Sequence, residues 1–343
     1  MAGSAVIEVL RLGGPPWQTF DPFLFCVHHL DRYPAGDEAC GPRASLAGRN
    51  LGQDFSGTDG WSMYHGRSIP GFPSHPHRGF ETITLARHGH IDHSDSLGAR
   101  ARFGGGDVQW MTAGRGIQHS EMFPLLDSEG PNTAELFQIW INLPAEDKLV
   151  DPYFTMFWAD RIPVVLRSDD QGRKTKITVV AGSLDGVEVP APPPSSWASR
   201  TDAEVAVWTL EMESGARVEL PVASPGVNRT LYFISGSEVA VDGARLQAGL
   251  GARVRPDIAV ELVNGEGPAE ILVLQGRPIG EPVAHYGPFV MNTRAELEQA
   301  FSDYRSTGFG GWPYDRSDPI HPRESGRFAV HADGRREVPG ANE

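Results

Sequence analysis

Apolar and polar residues alternate in short runs along much of the chain, and the runs are cut by glycine, proline, aspartate and serine. A period near two puts successive side chains on opposite faces, which reads as half-buried β-strand. Residues 20–24 (Phe-Asp-Pro-Phe-Leu) read as an opening strand, and 80–86 and 108–112 as two more. Residues 135–143 form a strand that Pro144 ends, because proline cannot donate to a ladder. From Glu204 the runs recur at 204–212, 217–220, 229–234, 238–241, 259–263 and 270–274, the spacing of a sandwich or barrel. One stretch is helical. Thr293-Arg294-Ala295-Glu296 fits a capping box, and Ala295, Leu297, Ala300, Phe301 and Tyr304 mark one face behind it. Residues 31–74 are turn-rich and read as a long irregular insertion, and the tail from Gly308 as an extended arm. The expected organisation is a β-domain at 1–150, a second at 175–305 that takes in the helix, and a tail at 306–343.

Composition supports this reading. Glycine and proline make about a fifth of the 343 residues, which argues against a helix bundle. The net charge of −14, with no block of Lys or Arg, argues against nucleic acid and anionic membrane surfaces as partners. No apolar run approaches the roughly 20 residues of a membrane span. Met1 to Trp17 has no long apolar segment behind a basic start, so no secretory leader is expected. Cys26 and Cys40 give no disulfide framework and read as reduced thiols of a cytoplasmic protein.

Histidine is unevenly spread. Nine of the 12 lie before residue 120, and none lies between Tyr153 and Ala284. The first half therefore carries the metal or acid–base potential, and the second reads as a structural companion. In an extended segment His75 and His77 point to one face while Pro76 points to the other. His119-Ser120-Glu121 repeats the geometry. Two such strands facing each other converge three imidazoles and a carboxylate, a set that suits Fe(II), Mn, Ni, Cu or Zn. Glu81 shares the face of His75 and His77 if the strand stays regular, and so reads as a ligand, a base behind the ligands, or a partner for Arg78 or Arg115. His88, His90 and His93 read as solvated loop histidines, with a His93–Asp95 pair at the cavity rim as the sharper alternative. Phe80, Met111, Phe137 and Trp140 either wall a cavity or pack the core. Gly104–Gly106 reads as a hairpin turn, since β-like sequence rather than a helix follows it.

Three segments resemble the signatures of the pirin family within the cupin superfamily. They are His75 to Thr82 (His-Pro-His-Arg-Gly-Phe-Glu-Thr), Gly106 to Glu121 (Gly-Asp-Val-Gln-Trp-Met-Thr-Ala-Gly-Arg-Gly-Ile-Gln-His-Ser-Glu) and Gly287 to Thr293 (Gly-Pro-Phe-Val-Met-Asn-Thr). The resemblance spans most of the chain. It implies an all-β protein of two tandem cupin (jelly-roll) β-barrels, to which the sequence pattern adds a C-terminal helix and an extended tail. It implies one iron, Fe(II), in the N-terminal barrel, held by His75, His77, His119 and Glu121, and a second barrel without a metal site. Because the family draws its carboxylate from the second motif, Glu81 falls behind the ligands. The activity implied is that of a quercetin 2,3-dioxygenase, cleaving a flavonol with dioxygen to carbon monoxide and a depside. In that reaction Glu121 is the catalytic residue that accepts the proton of the 3-hydroxyl. Other pirins imply an alternative, an iron-binding redox sensor that regulates through a protein partner. Two departures from the short members stand out: the long stretch from Asp31 to Ser74 and the tail beyond Tyr304.

Overall fold

In the computed structural model, which describes residues 4–340, the alternating runs are strands. Phe80–His88, Asp107–Thr112, Asn132–Asn142, Ala206–Met212, Arg217–Leu220, Asn228–Ser235, Glu238–Val241, Val260–Asn264 and Ala269–Gly276 match the sequence reading to within a few residues. The opening strand starts at Phe23 rather than Phe20 and runs to Tyr33, and Val6–Arg11 precedes it. The α-helix Arg294–Thr307 starts at the predicted capping box: the Thr293 hydroxyl accepts from Glu296 N (3.2 Å) and the Glu296 carboxylate from Thr293 N (2.8 Å). No helix among the described residues is long and apolar enough to cross a membrane. Cys26 and Cys40 are each buried and unbridged.

The chain forms two compact units whose segments interleave. One holds residues 4–27, 139–142 and 161–280, and the other 28–138, 143–160 and 281–340. This differs from the expected boundaries of 1–150, 175–305 and 306–343. The reason is strand pairing between distant segments, which local pattern does not encode. Val6–Arg11 pairs with Leu250–Val254, so the N-terminal strand joins the 161–280 segment. Phe328–Val330 pairs with Arg100–Gly104, so the tail joins the 28–138 segment instead of standing free.

The unit built on 161–280 has a seven-stranded antiparallel sheet in the order Val6–Arg11, Leu250–Val254, Asn228–Ser235, Ala269–Gly276, Ala206–Met212, Lys174–Ala181, Val164–Ser168. A four-stranded sheet runs Arg217–Leu220, Val260–Asn264, Glu238–Val241, Ala244–Gln247. Alternate residues of both sheets, among them Trp208, Leu231, Phe233, Val239, Val260 and Val273, form one apolar core.

The unit built on 28–138 holds most of a five-stranded sheet in the order Tyr153–Phe157, Asp107–Thr112, Phe80–His88, Asn132–Asn142, Phe23–Tyr33. Its six-stranded sheet runs Arg336–Glu337, Phe328–Val330, Arg100–Gly104, His90–Asp95, Ile117–Met122, Gly71–His77. Ile91, Ala101, Phe103 and Ile117 of the second sheet share a core with Ala86, Met111, Leu136 and Phe154 of the first. Residues 31–74 are more ordered than the loop reading expects: Trp61, Met63, Tyr64 and Ile69 are buried, and Arg49 lies over the Trp61 ring while pairing with Asp54 at 2.9 Å.

The tail is held by Arg102. Alternation along Arg100–Gly104 sends Ala101 and Phe103 into the core and Arg102 to the opposite face. There its guanidinium takes both oxygens of Asp92 (2.7 Å each) and donates to the carbonyls of His321, Pro322 and Ser325 at 2.8–2.9 Å. Arg102 and Asp92 are both fully buried, and each compensates the other's charge.

Candidate metal centre

Strand register brings the two histidine motifs together. Gly71–His77 pairs with Ile117–Met122 so that His75 stands directly opposite His119. His90–Asp95 pairs along the other edge, with Asp95 opposite His119 and His93 opposite Glu121. One ring nitrogen from each of His75, His77 and His119 lies within 4.8 Å of the other two. Glu121 stands beside this group, its Oε2 3.9 Å from His119 Nε2. Thr84 Oγ1 lies 3.1 Å from Glu121 Oε1, and Gln138 Nε2 donates to Oε2 at 3.2 Å.

The environment suits ligation. Burial lowers the His75 imidazole to about 4 and drives His77 and His119 well below the usual 6.5, so all three keep their lone pairs at neutral pH. The Pro73 carbonyl lies 2.9 Å from His75 Nδ1, which sets that nitrogen as the donor and leaves Nε2 as the lone-pair nitrogen. His119 is fully buried, and neither of its ring nitrogens has a hydrogen-bond partner. Buried polar atoms are nearly always satisfied, and each left alone costs about 1–3 kcal/mol. A neutral imidazole with idle nitrogens against two other imidazoles is what a metal ion would satisfy. Burial raises the Glu121 carboxyl, while His93, Thr84 and Gln138 act in the opposite direction.

A Pseudomonas aeruginosa protein provisionally named a quercetin 2,3-dioxygenase is 34% identical over 306 residues, 88% of this chain and 92% of that one. A pirin-like protein of Solanum lycopersicum is 36% identical over 88% of this chain and 87% of its own. Family models described as Pirin and as Pirin C-terminal cupin domain match residues 42–141 and 207–310. The chain belongs to the pirin family. A solved structure named as quercetin 2,3-dioxygenase from Acinetobacter baumannii aligns with a TM-score of 0.68 at 27% identity, covering 89% of this chain and 98% of that one. The fold is accordingly all-β, two tandem cupin barrels with a C-terminal helix and tail.

The remaining candidates of this pirin fall into place around the centre or away from it. Glu81 is not among the histidines. The chain breaks at Arg78–Gly79, and Phe80–His88 belongs to the other sheet, so the parity that puts Glu81 with His75 and His77 fails. Gly79 turns at φ +85°, and a Cβ there would sit 2.0 Å from the Val290 carbonyl oxygen. Glu81 instead accepts from Thr112 Oγ1 (2.6 Å) and Trp110 Nε1 (3.2 Å). His93 is not a loop residue. It is fully buried in a strand, its Nε2 3.0 Å from Asp95 and its ring centroid 5.5 Å from that of His119. His88 is exposed, as read. Phe80 packs 5.1 Å from the His77 ring, Met111 lies in the apolar core, Phe137 stacks on His28, and Trp140 stacks on Phe25.

Several neighbours were not legible as site residues. Thr84 and Gln138 come from the opposing sheet and carry no motif; only the apolar–polar parity of their strands would have flagged two inward polar residues. Phe72 and Tyr64 belong to the 31–74 segment and stack on each other at 5.2 Å, with the Phe72 ring 6.3 Å from His75. His75 is half-buried whereas His77, His119 and Glu121 are buried, so solvent reaches the centre from the side of His75 and Phe72. Tyr64 is fixed from behind: its hydroxyl donates to Asp31 Oδ2 (2.7 Å) and lies 2.8 Å from His29 Nδ1.

Proposed function

We propose that this pirin is a metal-dependent cupin dioxygenase that cleaves flavonols, with His75, His77, His119 and Glu121 as the ligands and Fe(II) as the ion. The observation that carries this reading is the fully buried His119 ring, both nitrogens without partners, beside two other neutral imidazoles. The names of the Pseudomonas and Acinetobacter relatives support the reaction class. A bound ion supplies Lewis acidity toward the substrate hydroxyl and redox chemistry toward dioxygen.

The chain's own part is to orient the flavonol and move a proton. Glu121 is the group for the 3-hydroxyl proton, and it keeps hydrogen bonds to Thr84 and Gln138 in both of its states. As a carboxylate it accepts from Thr84 Oγ1 and Gln138 Nε2. Protonated at Oε1, it donates to Thr84 Oγ1, whose own proton turns to Gln138 Oε1 at 2.5 Å. A base that keeps its hydrogen bonds on taking up a proton needs little reorganisation. Phe72, backed by the buried Tyr64, offers a planar substrate an aromatic flank on the side where solvent reaches His75.

The test strips the protein of metal, reloads it with Fe(II) under anaerobic conditions, verifies the load by elemental analysis, and adds quercetin in air. Loss of the flavonol absorbance with release of carbon monoxide is expected. A verified iron load with unchanged absorbance overturns the proposal. Parallel loading with Zn, Mn, Ni and Cu ranks the ions by the same readout.

A further inference from the structure

The barrel interior of the 161–280 unit ends in a polar cavity that takes no part in the chemistry above. Arg229 pairs directly opposite Gln275, and Trp208 opposite Val273. Alternation places Arg229 in line with Leu231 and Phe233, and Gln275 in line with Val273 and Ile271, the apolar members all lying in the core. Arg229 and Gln275 are thus the polar end of an apolar interior. A cavity of about 480 Å³ opens against them, with Leu184, Val189, Val205 and Trp208 in its wall.

Arg229 is only 1% exposed. Its Nε donates to Gln275 Oε1 at 2.7 Å, and the Gln275 amide is in turn spent on the Glu204 carbonyl at 3.1 Å. Among the described residues its Nη1 and the Trp208 Nε1 are each buried without a partner, and both belong to residues that line the cavity. The acids that line the cavity are engaged elsewhere. Glu204 takes Arg277 (3.2 Å) and the Ser224 backbone N–H (3.1 Å), and Asp185 takes two nitrogens of Arg167 (3.0 and 2.6 Å). Burial lowers Arg229 to about 10 against the opposing pull of Glu204, so the guanidinium stays charged at neutral pH. A buried cation whose nearest acid, Glu204, is paired with Arg277 is costly, and two idle donors on residues of one cavity wall call for an acceptor that brings a negative charge.

We propose that this cavity binds a small organic carboxylate with an apolar or aromatic body. The carboxylate oxygens meet Arg229 Nη1 and Trp208 Nε1, and the body lies against Leu184, Val189 and Val205. A monoanion matches the charge of Arg229; Arg200, also in the wall, lies over the Trp197 ring. A phosphate dianion would leave a second charge in an apolar wall. The site is independent of the histidine centre.

The experiment uses the full-length, metal-stripped protein, so that no carboxylate can bind a metal at the histidines. Benzoate is the probe, followed by calorimetry and by the indole ¹H–¹⁵N resonance of Trp208. A saturable shift of that resonance with a dissociation constant below about 10 mM is expected. Arg229→Met abolishes binding, and Trp208→Phe, a change the wall tolerates if Arg229→Met does not fold, weakens it about 3–10-fold by removing one donor. The proposal is overturned if wild-type protein shows no saturable response at about 10 mM. Unchanged affinity in both variants, or inorganic phosphate binding more tightly than benzoate, overturns it equally.

Discussion

His119→Leu separates what the histidine centre costs the metal-free fold from what it gains with a metal. The residue is fully buried and both ring nitrogens lack partners. Leucine has similar volume and no polar atom, so it removes a penalty of about 1–3 kcal/mol for each unsatisfied group, against a shape cost of up to about 1.5 kcal/mol. Stripped of metal at pH 7.5, the variant should therefore be more stable than stripped wild type, by about 0.5–6 kcal/mol for the two nitrogens together. The pH dependence gives a second reading of the same residue. Burial holds the folded-state His119 well below 6.5, with His75 and His77 acting in the same direction. Below the unfolded value of about 6.5 the unfolded chain takes up a proton at this residue that the folded chain does not. The folded state thus loses about 1.4 kcal/mol per pH unit as pH falls from about 6 to 5. Leucine removes that proton from the balance, so the variant's slope is shallower by the same amount. Added metal should narrow or reverse the gap, since a ligand at 100 times its dissociation constant adds about 2.7 kcal/mol to wild type and less to a variant short of one candidate ligand. Urea titrations of both proteins across pH, with elemental analysis of the loaded samples, make the measurement. A stripped variant less stable than stripped wild type, an unchanged pH slope, or full metal retention by the variant would each refute the reasoning.

Three further outcomes follow from the same geometry. Arg102→Met leaves Asp92 buried and uncompensated and should cost about 3–5 kcal/mol in urea unfolding, whereas adding Asp92→Leu should recover part of that loss; a single variant within about 1 kcal/mol of wild type would show the clamp to be incidental. Thr84→Val removes the hydroxyl that serves Glu121 in both of its states and should lower kcat for quercetin about tenfold with little change in KM; a change confined to KM would assign Thr84 to substrate contact. Phe72→Ala should do the reverse, raising KM several-fold through lost stacking while leaving the iron load intact; an unchanged KM would remove Phe72 from the approach to the centre.

How far the sequence alone reaches depends on how local each determinant is. The grouping of His75 with His77, and of His119 with Glu121, needs only the two-residue period of a strand, and it holds in the structure. The capping box at Thr293 is equally local. Glu81 shows where parity stops being a guide. One left-handed glycine at position 79 ends a strand and moves the next into another sheet. His93 shows the other limit: Gly89 and Asp92 look like turn formers, yet pairing with Ile117–Met122 draws the segment into the sheet and buries the ring. The unit boundaries were beyond reach for the same reason, since the N-terminal strand and the tail are claimed by partners more than 200 residues away.

The strands that carry the candidate ligands are used on both faces, and this bears on what the tail is for. Inward residues of Gly71–His77 and Ile117–Met122 supply His75, His77, His119 and Glu121. Outward, Gln118 donates to the carbonyls of Gly308 and Gly311 (2.5 and 3.3 Å) and accepts from the Tyr304 hydroxyl (3.2 Å). Ser74 N–H donates to the Ser317 carbonyl at 2.6 Å. Two strands on, Arg102 grips residues 321–325 from the outward face of the same sheet. Segments 304–317 and 321–325 therefore brace that sheet from behind. A site whose side chains must hold position to within a fraction of an ångström gains from such bracing even where no tail atom reaches it. The tail thus bears on the rigidity of the centre. The 31–74 segment, through Phe72, bears on what reaches it.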